Sequence, residues 1–516
     1  MMSKSLTIKL YDFVIKWVFN PWFILLSAFI ISLFTFNDYG IAWDEPVQRL
    51  IGINAYLYFK GQLGFDYIEN FGPIYEVFLV IIERISGFTD SRDIYILRHF
   101  ANHFVFLLAV LCFYFIVKEI FNKKGLALLA MLFLLISPRM YAHSFVNTKD
   151  IPFLCFTLFS VLMLLKYFKT GNYIFLLLFS IFSGIMINIR LAGLLIFLLF
   201  ALLLIIFHLQ KKCKWYNQLL RLMAVTLLTG FSLYISWPYL WENTFARINS
   251  FFCASIKYFW DGKVLYMGSI YNASNLPWHY LPVWIGISIP LNYLILFIFS
   301  VPVIIVSVVK NGFQSHKNLY LTFFLSLILI PICVYYLKNS TIYDDWRHFY
   351  FIYPALIICS IAAVDFFLNM KLFFAKIITL FTILFSVVTL IWMFNNHPFQ
   401  IAYLNQLIPQ KTDYVRFHYE QDYWGVCFKQ GFEYILKHDS SEKIQFVVTK
   451  LPGEFNPMIL KPSERLRFVY QPDFSKADYF ITHYREENYD FPDLGKPWYF
   501  FSVNNSRIMA IWKLKE

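Results

Sequence analysis

Apolar runs recur along this 516-residue chain and decide its fold class. Runs of about 17–25 residues are long enough to cross a bilayer as α-helices. Membrane barrels instead use strands of about ten residues with alternating polarity, a pattern that these runs lack. The sequence therefore predicts a polytopic α-helical membrane protein with about eleven transmembrane helices, at residues 20–36, 95–117, 124–138, 151–167, 173–189, 191–208, 219–236, 281–309, 318–337, 349–368 and 374–394.

The placement of lysine and arginine predicts how these spans are oriented. With the N-terminus in the cytoplasm, the inner loops hold 16 basic and three acidic residues, whereas the outer loops of the membrane domain hold 13 and 14. Because excess basic charge marks cytoplasmic loops, the formal net charge of +12 is a topology signal and does not indicate a nucleic-acid partner. We expect a multi-pass protein of the cytoplasmic (inner) membrane, anchored from Pro21–Phe36 onward without a cleaved signal peptide.

The chain changes character at Asn395. Beyond it, Gly431–His438 is typical of a helix, and the last apolar run is broken by Asn504-Asn505-Ser506, a signal for a hairpin turn. The other apolar runs shorten to strand length, at Lys443–Thr449, Arg465–Tyr470, Ala477–His483 and Trp498–Lys513. We therefore expect a membrane domain over 1–394 and a small extracytoplasmic α/β domain over 395–516.

Two long loops, 37–94 and 237–280, fall on the predicted outer face, and function is expected there because every inner loop is short. Amphipathic stretches near 47–60 and 74–86 predict helices that lie flat on the membrane surface. Seven cysteines show no paired spacing, so neither a disulfide framework nor a cysteine metal site is indicated.

Two acidic sites lie on the outer face. Asp44 and Glu45 are adjacent, and Asp150 precedes the fourth predicted span. Charge beside a membrane is costly, and a carboxylate next to another carboxylate is expected to hold a proton more tightly, which makes it a stronger base. The alternative for both sites is helix capping, since Pro46 and Pro152 suit first helical turns.

Cations fall at the same predicted depth as these acids: Arg98, Arg139, Lys149, Arg190, Lys338, Arg347 and His348. Snorkelling to lipid headgroups is the simple explanation for each of them. Their convergence with two acidic sites on one face favours an anion-binding role instead. His99 and His103 have the spacing of a two-histidine metal site, with buried, hydrogen-bonded histidines as the alternative.

Four motifs in order resemble those of the GT-C glycosyltransferases, within the protein O-mannosyltransferase and lipid A aminoarabinose transferase superfamily. The closest likeness is to bacterial family-39-like membrane enzymes. The motifs are the Asp44-Glu45 pair, Asn147–Pro152 with Asn188–Gly193, Asp345–His348, and Asn396–Asn405 followed by Glu420–Gly425.

The resemblance implies transfer of a sugar from a polyprenyl-phosphate donor to an acceptor hydroxyl of a glycan, lipid or protein, with inversion. It also implies that Asp44 is the general base, that Glu45 orients the acceptor or shares the proton, and that Asp150 binds sugar hydroxyls or assists. The implied donor-phosphate and substrate ligands are Arg139, Lys149, Arg190, Arg347 and His348. Relatives that use such donors generally need no catalytic metal, so we expect no metal and no cofactor.

Three other classes remain open from the sequence. A flippase or transporter of polyprenyl-linked glycans would explain many spans, but the charges cluster on one side and no inverted repeat is visible. A surface-polysaccharide polymerase or ligase would share the donor. A non-catalytic sugar-binding scaffold would use Trp237, Trp241, Trp260 and Trp278 as stacking platforms, although these tryptophans also suit an interfacial belt.

Overall fold

The computed structural model describes residues 20–68, 71–211, 214–256 and 260–515. Lys4, Lys9, Asp12, Lys16 and Lys212, which contributed to the predicted orientation, lie outside these ranges. The membrane domain contains the helices α1 Pro21–Thr35, α2 Glu45–Phe59, α3 Ile74–Ser86, α4 Ser91–Phe121, α5 Lys124–Leu135, α6 Pro138–Val146, α7 Asp150–Thr170, α8 Tyr173–Ile189, α9 Ala192–Gln210, α10 Trp215–Ser236, α11 Thr244–Ile256, α12 Tyr280–Ser288, α13 Leu291–Asn311, α14 His316–Lys338, α15 Tyr353–Leu368 and α16 Leu372–Asn395, with a two-stranded ribbon, β1 Lys263–Tyr266 and β2 Ser269–Asn272.

The predicted spans are helical, but they are not all full-length crossings. Within the described ranges, eight helices are long and apolar enough to cross a membrane, one of them formed by α15 together with the turn Arg347–Ile352. The pair α5–α6 would make a ninth, bent by 63°. The predicted spans 20–36 and 173–189 form shorter apolar helices, α1 and α8, of 15 and 17 residues.

The predicted single span 281–309 is wrong, because the chain breaks between α12 and α13. Ile289 and Pro290 are extended there, as expected where a proline disfavours helical geometry in the residue before it. Asn405 satisfies the carbonyl groups that the break frees. Its Nδ2 donates to the oxygens of Gly286 and Ile289, each at 2.7 Å, and its backbone N–H donates to Ile287.

The two amphipathic stretches form α2 and α3, which pack against each other on the first long loop. Gly52 permits the close approach, since a Cβ there would lie 2.8 Å from the backbone of Glu76. Arg98 on α4 holds both helices in place through ion pairs. Its buried guanidinium pairs with Glu76 and with Glu83, at 2.7 Å for the second, and Glu83 also pairs with Arg49 of α2. Arg98 is therefore an internal tie, and the snorkelling explanation is wrong for it.

At the far end of α4, three residues that the sequence assigned to the inner face meet. Lys123 and Lys317 bind the two oxygens of Asp365 at 2.6 and 2.5 Å. The Asp365 carboxylate is 5% exposed, whereas the two lysine side chains are 46% and 38% exposed. We call these three residues the distal cluster.

The C-terminal part has one five-stranded mixed sheet. Its helices are α17 Tyr414–His418, α18 Phe428–His438, α19 Leu451–Phe455 and α20 Pro462–Arg465, and its strands are β3 Ile444–Val448, β4 Phe468–Tyr470, β5 Tyr479–Thr482, β6 Tyr499–Val503 and β7 Ser506–Lys513. The strand order is β4-β3-β5-β7-β6, with β4, β3 and β5 parallel and the others antiparallel. Asn504 and Asn505 have φ of 50° and 61° between β6 and β7, so the predicted hairpin turn is confirmed.

This C-terminal part packs closely on the membrane domain. Leu404, Val415 and Tyr419 belong to the same buried apolar cluster as the transmembrane helices. Trp424 and Val426 share another cluster with loop and helix residues of the membrane domain. The sheet is therefore fixed against the helical bundle, and so are the carboxyl ends of its parallel strands β3 and β5.

Candidate active site

Four segments that are distant in sequence meet at one end of the bundle. Asp44 precedes α2, Asp150 begins α7, Arg190 separates α8 from α9, and Arg347 begins the turn before α15. All four stand at helix ends, where the chain leaves the apolar helices. The structure therefore brings together two of the three predicted acids and two of the predicted cations.

Arg347 is at the centre of this group. Its Nη1 lies 3.3 Å from Asp150 Oδ2 and 3.6 Å from Asp44 Oδ2, and its Nη2 lies 3.2 Å from Asp344 Oδ2. The side chain is only 4% exposed. A buried guanidinium is stable only with paired carboxylates, so the snorkelling explanation is wrong for Arg347.

The adjacent carboxylates Asp44 and Glu45 have different surroundings. Glu45 is buried and accepts hydrogen bonds from the backbone N–H of Ala42 at 2.7 Å and from His99 Nε2 at 3.0 Å. The Asp44 side chain is 41% exposed and makes no capping hydrogen bond to α2. The capping alternative is therefore wrong for Asp44. Glu45 holds the turn in place, and this position gives no support to a direct role on the acceptor.

Asp150 is buried and paired with two guanidinium groups. Its Oδ1 pairs with Arg190, and its Oδ2 approaches Arg347 and accepts a hydrogen bond from Asn147 Nδ2 at 3.0 Å. Asn147 Oδ1 accepts the backbone N–H groups of Lys149 and Asp150 at 3.1 and 2.8 Å. Asn147 thus caps α7, and the capping alternative for Asp150 is wrong.

Two other predicted cations, Lys149 and His348, lie beside these groups and are partly buried. Lys149 Nζ lies 4.3 Å from the centre of the Phe71 ring. Burial and the neighbouring Arg190 cation lower the pKa of Lys149 to about 8, against the opposing effect of Asp44 and Asp150. The His348 ring packs edge-on against Tyr343, with 4.8 Å between ring centres.

Arg139 belongs to a separate buried pair. Its Nη1 lies 2.7 Å from Asp345 Oδ2, and its Nε donates to the carbonyl of Tyr403 at 2.9 Å. Burial raises the pKa of Asp345 to about 6, with Arg139 opposing that rise. Among the described residues, no ion pair joins Arg139 to Asp44 or Asp150. The structure therefore does not place Arg139 with the other predicted phosphate ligands.

A chain of hydrogen bonds connects the two groups. Tyr423 donates its hydroxyl proton to Asp345 at 3.0 Å, and the same oxygen lies 2.8 Å from His143 Nε2. The other ring nitrogen of His143 lies 3.2 Å from Asn147 Nδ2, which also donates to Asp150. These contacts are mutually consistent for a neutral His143 that carries its proton on Nε2. This series of hydrogen bonds fixes the rotamer of Asn147 and, through it, that of Asp150.

The sequence prediction did not include Asp344 and Arg485. Asp344 Oδ1 lies 2.9 Å from Arg485 Nη2, so one aspartate joins Arg347 to an arginine of the C-terminal part. Asp344 was visible as the neighbour of a recognised motif, but Arg485 lies 141 residues further on and carries no local signal. We call Asp44, Asp150, Arg190, Arg347, Asp344 and Arg485 the site network.

The two histidines considered for a metal have separate partners. His99 binds Glu45, and His103 Nδ1 lies 2.7 Å from the hydroxyl of Ser144. Within the described parts of the chain, no group of three histidine, cysteine, aspartate or glutamate side chains could hold a metal ion. Of the four tryptophans considered as stacking platforms, Trp260 stacks on Tyr343 with 4.0 Å between ring centres, beside the site network.

One family model matches part of this chain, and solved structures are similar to it in fold. Residues 72–237 match the family model described as dolichyl-phosphate-mannose-protein mannosyltransferase, which is less than half of the chain. The apo oligosaccharyltransferase of Archaeoglobus fulgidus is similar in structure, with a TM-score of 0.51 and 12% identity, over 89% of this chain and 65% of that one. Apo ArnT of Cupriavidus metallidurans aligns over 96% of this chain and 98% of its own, with a TM-score of 0.48 and 12% identity. No curated protein sequence matches.

The match over residues 72–237 and the shared fold support the predicted class, a membrane glycosyltransferase of the GT-C type, and a small C-terminal sheet region is attached to the helical part.

Proposed function

We propose that this enzyme transfers a sugar from a polyprenyl-phosphate donor to an acceptor hydroxyl on the outer face of the cytoplasmic membrane. The observation that carries the proposal is that Asp44 is exposed and incompletely paired. It is the exposed carboxylate of the site network, 41% exposed, and its distance of 3.6 Å to Arg347 is too long for a hydrogen bond. Such a carboxylate can accept a proton from a substrate, whereas Asp150 and Asp344 are buried and engaged by arginines.

The reaction follows from this geometry. The acceptor hydroxyl gives its proton to Asp44 while its oxygen bonds to the anomeric carbon of the sugar, and the bond from that carbon to the phosphate oxygen breaks. Protonation removes the charge by which Asp44 attracts Arg347. The guanidinium can then stabilise the negative charge that develops on the departing polyprenyl phosphate.

The charge of the site suits a phosphate leaving group. Four cations, Arg190, Arg347, Arg485 and Lys149, face the three carboxylates of the site network. When Asp44 is protonated, only two charged carboxylates remain. An anion that appears at that moment therefore meets a positive surplus fixed by the fold, which is the preorganisation that favours a transition state over a ground state.

The family match supports the donor class, since its description names a dolichyl-phosphate-linked sugar, and the similar oligosaccharyltransferase supports transfer rather than transport. We propose the predicted orientation as well, with the N-terminus in the cytoplasm and the site outside. The acceptor is a glycan, a lipid or a protein hydroxyl, and inversion is expected from a single displacement.

The test is transfer in proteoliposomes. Purified enzyme is incubated with radiolabelled undecaprenyl-phosphate sugars and a membrane extract, and the label is followed into products. The expected result is labelled product with release of undecaprenyl phosphate. Movement of labelled lipid across the bilayer without any transfer would support a flippase and overturn the proposal.

A matched control comes from the same loop. Asp38 is also 41% exposed, and its Oδ2 lies 2.7 Å from Nε2 of His397. It is outside the site network. Asp38→Asn should therefore leave transfer within about twofold of wild type, because surface pairs contribute little.

A further inference from the structure

The C-terminal part of the chain reaches into the site through one side chain. Arg485 follows β5 by three residues, at the carboxyl end of the parallel strands, where open α/β sheets commonly present binding groups. Its side chain is 4% exposed. Its Nη2 lies 2.9 Å from Asp344, its Nη1 donates to the carbonyl of Tyr423, and its guanidinium carbon lies 4.8 Å from the centre of the Trp43 ring.

The same part of the chain fixes the loop that carries Asp44. Asn456 accepts the backbone N–H of Ile41 at 3.0 Å and donates to its carbonyl at 2.8 Å. The backbone N–H of Trp43 donates to the carbonyl of Trp424 at 3.1 Å. The residue immediately before Asp44 is therefore held by backbone contact to the C-terminal part and by the Arg485 guanidinium.

Asp344 is shared between two arginines. Burial raises the pKa of Asp344, and Arg485 and Arg347 oppose that rise. If Arg485 is removed, the buried Asp344 carboxylate keeps Arg347 alone as its partner, and Arg347 is drawn away from the phosphate that it has to meet. Arg485 itself is engaged by Asp344, Tyr423 and Glu486, so its influence on a substrate passes through these contacts.

We propose that Arg485 is a positioning residue of the transferase site, and that the C-terminal part of the chain is a component of the active site. Arg485 shares the negative charge of Asp344 and thereby weakens the attraction of that carboxylate for Arg347, which can then bind the polyprenyl phosphate. This inference rests on the proposed function, since it assumes that Arg347 meets a phosphate.

The test is a double-mutant cycle read by binding of undecaprenyl phosphate and by sugar transfer. Arg485→Gln should weaken binding about tenfold, equivalent to one buried charge-assisted contact, and should lower transfer by at least as much. Asp344→Asn in the same chain removes the uncompensated carboxylate, so R485Q/D344N should bind within about threefold of D344N alone. Asn suits position 344, where φ is 55°, because asparagine tolerates left-handed backbone.

Arg465→Gln is the matched control. Arg465 also joins the C-terminal part to the membrane domain, through Asp90 at the start of α4, but it is not in the site network. This variant should bind and transfer like wild type. A loss in R485Q that D344N does not relieve would mean simple loss of docking and would overturn the inference.

The two proposals fail in different ways. If wild type binds undecaprenyl phosphate but transfers no sugar, the proposed function is wrong and the binding cycle still reports on Arg485. If wild type transfers sugar and R485Q is unchanged in both readouts, only the inference about Arg485 is wrong. If wild type neither binds nor transfers, both are overturned.

Discussion

The site network and the distal cluster lie at the two ends of α4, and they show two ways in which a membrane protein accommodates charge. The distal cluster places one buried carboxylate, Asp365, between Lys123 and Lys317, whose side chains remain 46% and 38% exposed. The flexible lysine side chains remain partly in water while their ammonium groups reach the buried carboxylate. This arrangement neutralises one carboxylate and leaves nothing poised to react.

The cations of the site network are arginines, and most of its side chains are buried. The side chains of Arg347 and Arg485 are each 4% exposed, and those of Asp150 and Asp344 are 2% and 3% exposed. The planar guanidinium can serve two or three carboxylates at once, which a lysine cannot do in a fixed geometry. The one exposed carboxylate is Asp44. The two groups therefore differ in one respect that bears on the proposed reaction: only the site network has a carboxylate that is exposed and incompletely paired.

The largest effect is expected from the exposed carboxylate. Asp44→Asn should lower sugar transfer by about a hundredfold or more, because a general base contributes roughly 10²–10⁴ in rate. Thermal unfolding in detergent should be nearly unchanged, since Asp44 makes no hydrogen bond that α2 needs. Transfer at the wild-type rate by D44N would show that the base lies elsewhere.

The next effect should come from the buried carboxylate. Asp150→Asn leaves Arg190 without its partner and deprives Arg347 of one of three. Breaking a buried pair costs about 3–5 kcal/mol, so we expect a lower unfolding temperature as well as lost transfer. Calorimetry of the purified variant measures the first, and the transfer assay the second. Loss of activity at full stability would contradict the structural half of this prediction.

A smaller effect is expected from pH. Because the pKa of Lys149 is lowered to about 8, its ammonium group is present below that pH and is lost as the pH rises through it. The KM for the donor should therefore rise about fivefold to tenfold between pH 7 and pH 9, the order expected for one phosphate contact. Lys149→Arg, whose guanidinium does not titrate in this range, should remove most of that dependence. An identical pH profile for the two enzymes would exclude Lys149 from donor binding.

The smallest effect is expected at the distal cluster, which tests the comparison itself. Asp365→Asn frees two lysines that already reach solvent, so the free energy of unfolding should change by about 1 kcal/mol or less, and transfer by less than about twofold. Asp365→Asn is the matched control for Asp150→Asn, because both remove a buried carboxylate with two cationic partners. Equal destabilisation by the two substitutions would show that arginine and lysine pairs are equivalent here.

Local patterns in the sequence determined most of the secondary structure. Apolar runs predicted the helices, and the short runs with Asn504-Asn505 predicted the strands and the β6–β7 hairpin, because these depend on the properties of neighbouring residues. The break between α12 and α13 was missed, because an uninterrupted apolar run overrode the signal of Pro290. The bond donors that make the break tolerable come from Asn405, which is distant in sequence.

The sequence by itself determined that Asp44, Asp150, Arg190 and Arg347 are charged residues at helix ends on one predicted face. Only the tertiary structure decided which carboxylate is open. Successive residues at a helix start point about 100° apart, so Glu45 turns inward to His99 while Asp44 remains exposed. Only the tertiary structure brought Arg485 to Asp344, because packing of the sheet on the bundle is a long-range event with no local trace in the chain.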